Sequence, residues 1–194
     1  MRILVVYAHP LETSFIAALH LRAVETLRSR GHEVDDLDLY AERFDPVMSR
    51  DLFAHYVDTN ANTREVEGYV QRLKAAEALV LVFPVWFDGL PAMMQGYFQR
   101  VFLPGVAMRI DEAGLFHPNL RHLKRMAAVC TYGESRRDVA AKNNPVQRFV
   151  HYNIGALIDP KGRFEYLAHY NMNFSTAARR AAFMKRLTRA FEAW

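Results

Sequence analysis

A chain of 194 residues, 51% hydrophobic and 24% charged, is long enough for one sizeable core and too apolar for wholesale disorder, so it is read as a single domain over 1–194. One cysteine, Cys130, excludes an intramolecular disulfide framework and a Cys/His zinc cluster; no metal is expected, and a reducing cytoplasm is the default. The +4 formal charge comes from basic residues scattered among acidic ones, which points away from a nucleic-acid partner, and no apolar run nears the roughly 18 residues of a membrane span.

The chain opens on a continuous apolar run, "RILVVY", of strand length and without the cleavage-site region of a signal peptide. Phe15, Leu19, Ala23 and Leu27 then recur along one helix face, which Gly31 ends. "EVDDLDLY" alternates and predicts a second strand that carries Val34, Leu37 and Leu39, followed by a long irregular connection through residue 62 and a helix over 63–77. "ALVLVFP" is the most apolar strand and belongs at the sheet centre, because parallel strands buried on both faces read this way. Pro91 suits the first turn of the next helix, "AMMQGYFQRVF". "RMAAVCT" is the fourth strand, "PVQRFVHYNI" a helix, and "RFEYLAHY" the fifth strand. A closing helix with Ser175 as N-cap carries "RRAAFMKRLTR", whose charges alternate with apolar residues at helical spacing and read as a solvated face. Strands alternating with helices predict a doubly wound, five-stranded parallel α/β sheet with helices on both faces.

Ligands of such sheets bind outside the carboxyl ends of the strands, which singles out three loops: "AHPLETSF", "PVWFDGL" and "TYGE". In the first, Thr13 and Ser14 put hydroxyls beside a helix start, where free N–H groups favour an anion, and His9 adds a donor. In the second, Trp86 and Phe87 offer a flat apolar wall for an aromatic heterocycle. In the third, Gly133 permits close backbone approach while Thr131 and Tyr132 bring hydroxyls. Plainer readings stand beside these: Ser14 as a helix cap, His9 as a hydrogen-bonded loop residue, Trp86 and Phe87 as core, Gly133 as a turn. Cys130, inside an apolar strand, reads as inert. What favours a ligand is that all three loops fall at strand ends. A dinucleotide fingerprint GxGxxG and a P-loop GxxxxGK[ST] are both absent.

"YAHPLETSF", "VFPVWFDGLPAMMQGYFQRVF" and "TYGE", in this order and spacing, resemble the flavodoxin-like NAD(P)H:quinone oxidoreductase family over essentially the whole chain. The resemblance implies FMN or FAD, with FMN preferred for so short a chain, and two-electron transfer from NADH or NADPH to a quinone or similar acceptor by a ping-pong mechanism. It implies His9, Ser14 and Phe15 at the phosphate and ribityl end. Pro84, Val85, Trp86 and Phe87 would border the ring, and Thr131, Tyr132 and Gly133 its other edge. Ile16 stands where many relatives carry Asn, and Thr131 to Glu134 where many carry "TTGG"; no match to the relatives' Tyr/His pair is found, so no catalytic acid or base is assigned. Alternatives in the same fold are a flavin-binding ancillary subunit of a transport system and a flavodoxin-type electron carrier. Relatives act as dimers, and the apolar excess of "LPAMMQGYFQRVF" predicts a homodimer through that helix.

Overall fold

Strands apolar on both faces must be covered from both sides. In the computed structural model, which describes residues 1–194, the strands are β1 (Arg2–Tyr7), β2 (Glu33–Asp38), β3 (Ala78–Val85), β4 (Met108–Ile110), β5 (Phe116–Pro118), β6 (Arg125–Tyr132) and β7 (Arg163–His169). The helices are α1 (Phe15–Ser29), α2 (Arg50–Ala54), α3 (Glu67–Ala75), α4 (Ala92–Val101), α5 (Arg136–Ala141), α6 (Pro145–Arg148) and α7 (Ala177–Glu192). Five strands form one parallel sheet in the order β2-β1-β3-β6-β7, with β3 at its centre as expected.

Alternation within each strand sends side chains to two cores. Ile3, Val5, Val80, Val82, Ala127 and Val129 face α1 and α7, whose Leu19, Leu27, Leu187 and Phe191 are fully buried. Leu4, Val6, Leu79, Leu81, Phe83 and Ala128 face the other side, under α3, α4, α5 and α6. Each large side chain removed from water is worth about 1.5–3 kcal/mol. The charges of the closing helix, Arg179, Lys185, Arg186 and Arg189, are exposed, as the alternation predicted.

Several expectations are corrected. The connection after β2 is structured: Ser49 caps α2, and Phe44, Leu52 and Ala61 are buried. The helix predicted over 63–77 is confined to α3. Pro91 stands at the N-cap of α4, just outside its first turn. "PVQRFVHYNI" begins as α6 and continues as a π-helical turn, Phe149–Ile154. The cap of α7 is Thr176, which accepts from the Arg179 N–H, because the Ser175 hydroxyl is engaged with His169 Nε2 at 2.8 Å. The antiparallel hairpin β4–β5, too short to leave a periodic signal, was not anticipated.

The apolar excess of α4 is consumed inside the chain. Tyr97 meets Phe44 at 5.8 Å between ring centroids, Phe98 meets Phe102 and Phe149, and Gly96 lies so close to Pro46 that a Cβ there would overlap its backbone. Arg100, almost wholly buried, donates to the Asp45 carbonyl and pairs with Glu65 at 2.7 Å. The connection thus wraps α4, and the compositional argument for a dimer through this helix loses its basis.

Candidate functional site

Because all five strands run parallel, their carboxyl ends share one edge of the sheet, and a cavity of about 620 Å³ opens there. The ten residues that the resemblance assigned to the ligand line it: His9, Ser14 and Phe15 from the β1 loop, Pro84, Val85, Trp86 and Phe87 from the β3 loop, and Thr131, Tyr132 and Gly133 from the β6 loop. Thr13, whose hydroxyl was read beside that of Ser14, is exposed and is not among the lining residues.

Ser14 is the N-cap of α1, its Oγ accepting from the Ala17 N–H at 3.2 Å. Capping and lining the cavity therefore coexist in one residue. The N–H groups of Phe15 and Ile16 find no acceptor in the chain, the usual state of a first helical turn, so two donors remain for an anion. His9 Nδ1 lies 3.0 Å from the Leu11 N–H and 3.1 Å from the Leu11 carbonyl, so this nitrogen is engaged within its own loop and Nε2 is the ring nitrogen without a partner in the chain. Phe15 is braced edge-on against the buried His169 at 5.2 Å. Ile16 is buried and presents an apolar wall.

The β3 loop is a two-residue hairpin turn. Trp86 and Gly89 exchange N–H to carbonyl bonds of 3.2 and 2.9 Å, with Phe87 at φ 49° and Asp88 at φ 57° between them. Two consecutive positive φ values are the geometry for which Asn-Gly is usual, and each non-glycine residue there costs about 1–2 kcal/mol. Trp86 is 42% exposed and Phe87 stands wholly in solvent, so neither is core. Both are free to stack.

On β6, Thr131 is buried at the cavity floor. The Tyr132 hydroxyl lies 2.6 Å from the Tyr166 hydroxyl, and its ring stacks on Tyr170 at 5.0 Å. Burial pushes the phenol pKa of both Tyr132 and Tyr166 above the ordinary range. The neighbouring Cys130 thiol, fully buried, is pushed up to about 12 and stays protonated, which agrees with its reading as inert. Gly133 admits the Asn173 amide, which a Cβ would press at 3.3 Å.

A fourth loop was missed. Met172 and Asn173, on a short 3₁₀ turn after β7, join the wall, and Asp88 and Glu134 complete the rim. The signal available was topological, since the end of the fifth strand lies on the same edge as the other three. No cluster of three or more His, Cys, Asp or Glu side chains suitable for a metal is present, and no helix is long and apolar enough to cross a membrane.

With this geometry in hand, the family follows. The family model described as a flavodoxin-like fold matches residues 1–188, and the chain belongs to that family. Among solved structures, the NAD(P)H:quinone oxidoreductase from Methanothermobacter marburgensis superposes with TM-score 0.85 at 21% identity, covering 99% of this chain and 98% of its own. An FMN-dependent NADH-azoreductase from Bacillus anthracis, solved in complex with FMN, gives 0.79 at 13% identity, covering 99% and 98%. At these identities the likeness is one of fold. NAD(P)H dehydrogenase [quinone] 1 of Rattus norvegicus is 34% identical over 122 residues, 55% of this chain and 44% of the relative, so the chain spans about half the length of the curated relatives it matches.

Proposed function

We propose that this protein is a flavin-dependent oxidoreductase that passes two electrons from NADH or NADPH to a quinone or similar small acceptor. The observation that carries the reading is the joining of two free N–H donors at the α1 start with an exposed aromatic turn, on neighbouring loops that line one cavity. Its volume lies in the range that holds a cofactor of this size. The donor set fits a flavin: Phe15 and Ile16 N–H groups and the His9 ring would hold the phosphate, and Trp86 and Phe87 would cover the ring. Thr131, Tyr132 and Gly133 would meet its far edge, Tyr132 through its backbone. Pro84 and Val85, at the end of the central strand, would set how deeply the ring sits.

The chemistry supplied by a bound flavin is hydride acceptance from a reduced nicotinamide and delivery of two electrons to an acceptor using the same site in turn. The chain's own part is to bind, orient and exclude water. Ile16 in place of a polar residue dries the wall behind the phosphate end. FMN is favoured over FAD, residues 1–194 act as one flavin-binding domain, and the active form is a cytoplasmic homodimer, a reading that the family resemblance supports and the packing of α4 does not.

Purified protein tests this directly. It should be yellow or take up added FMN or FAD with quenched flavin fluorescence, bleach with NADH or NADPH without air, and recover colour with a quinone; steady-state rates should be ping-pong. Failure to bind either flavin at micromolar concentration would overturn the reading. Bleaching only with a separate reductase would point to an electron carrier.

A further inference from the structure

Lys142 ends α5 at the rim of the cavity, followed by Asn143 and Asn144 in left-handed conformations that turn the chain away. Its Nζ lies 2.7 Å from Asp88 Oδ2 and 2.7 Å from both Glu134 carboxylate oxygens. Asp88 belongs to the strained β3 turn and Glu134 to the β6 loop, so one ammonium ties two cavity walls together and offsets both rim carboxylates. The three side chains are each partly exposed, and bonding to the carboxylates holds the lysine pKa above its ordinary value.

From this arrangement we infer that Lys142 is a specificity-determining residue: by masking Asp88 and Glu134 it lets anionic ligands enter a cavity whose rim would otherwise repel them. The inference rests on the flavin reading above. With Lys142 the rim triad carries one net negative charge; without it, two. Charges of one sign at a cleft mouth act on an approaching anion over several ångströms, because the protein walls focus the field. FMN and the nicotinamide dinucleotides are anions, whereas riboflavin and simple quinones are neutral.

That contrast separates electrostatics from mechanics. A lysine acting only as a tie for the strained turn would affect every flavin alike when removed. A charge mask affects ligands according to their charge. Lys142→Met and Lys142→Arg would be titrated with FMN and with riboflavin by fluorescence quenching, at low ionic strength and at about 0.5 M salt, where screening is short-ranged. In Lys142→Met, FMN affinity should fall about three- to tenfold at low salt, riboflavin affinity should change less than about twofold, and the FMN deficit should shrink at high salt. Lys142→Arg should behave as wild type. With NADH as donor and a neutral quinone as acceptor, KM should rise for the donor alone.

Equal losses for FMN and riboflavin, or no loss for either, would overturn the charge mask while leaving the flavin reading intact. Wild-type protein that takes up neither flavin would overturn both. Unfolding midpoints of the two variants, at a position that is only partly buried, should match the wild type and so separate a charge effect from loss of the fold.

Discussion

α1 begins in the cavity wall and α4 follows the β3 loop that lines it, yet the two helices are held in place by different means. α1 carries its own cap in Ser14 and lays an apolar face on the sheet and α7, so nearly everything that places it lies within its own sequence. α4 has Pro91 at its N-cap with no side-chain cap, follows a turn with two positive φ values, and is clasped by residues far back in the chain. Pro46 seats against Gly96, and Asp45 and Glu65 hold Arg100. The wall proposed for phosphate is locally specified. The aromatic wall depends on a segment that never reaches the cavity.

The contrast is broken most severely at Gly96. Gly96→Val drives a side chain into the Pro46 backbone, which cannot move without unseating the connection, and it should cost about 3 kcal/mol, the upper end for overpacking. Chemical denaturation would measure this. Flavin uptake should fall with it although Gly96 does not line the cavity, and a variant of unchanged stability would mean that the connection is not what holds α4.

Ser14→Ala probes the local wall and should be milder. Losing the cap costs about 1 kcal/mol of stability. The double change with His9→Ala should still unfold cooperatively but retain less flavin. Full flavin occupancy at limiting cofactor would argue against the phosphate assignment.

The smallest effect sharpens the comparison by pH. His169, which braces Phe15, has its pKa lowered by burial and by the nearby Arg179 and Arg180 charges. The unfolded chain therefore takes up the proton first as pH falls. Stability from this residue is full above the ordinary value near 6.5 and is lost as pH drops from there toward the lowered folded value. In denaturation series below pH 6.5, His169→Asn should lessen this slope. A remainder should come from His32, whose pKa is lowered by burial and by the N-terminal ammonium.

How much of this was legible follows the same division. Strands apolar on both faces, and a helix whose apolar residues recur every three or four positions, announce themselves; β1, β3, β6 and α1 were readable because the pattern is the burial. The three loops were readable as strand ends, and they line one cavity. The 40–62 connection was read as irregular because Phe44, Leu52 and Ala61 enter the core singly, without a period. Met172 and Asn173 were missed because a short polar turn before a helix looks like any other connection.

Local pattern therefore determined the five strands of the main sheet and the long helices between them, that the sheet is doubly wound, and which three loops share an edge, since burial on one or two faces is written at a fixed spacing in each of these elements. Tertiary structure alone decided that the connection clasps α4, that the Tyr132 hydroxyl is spent on Tyr166, that the β7 loop joins the cavity, and that Lys142 bridges Asp88 and Glu134. Each of these is a pairing between residues from separate segments. The spacing within one element carries no record of which distant side chain will satisfy a given group, and packing against the whole fold is what makes that choice.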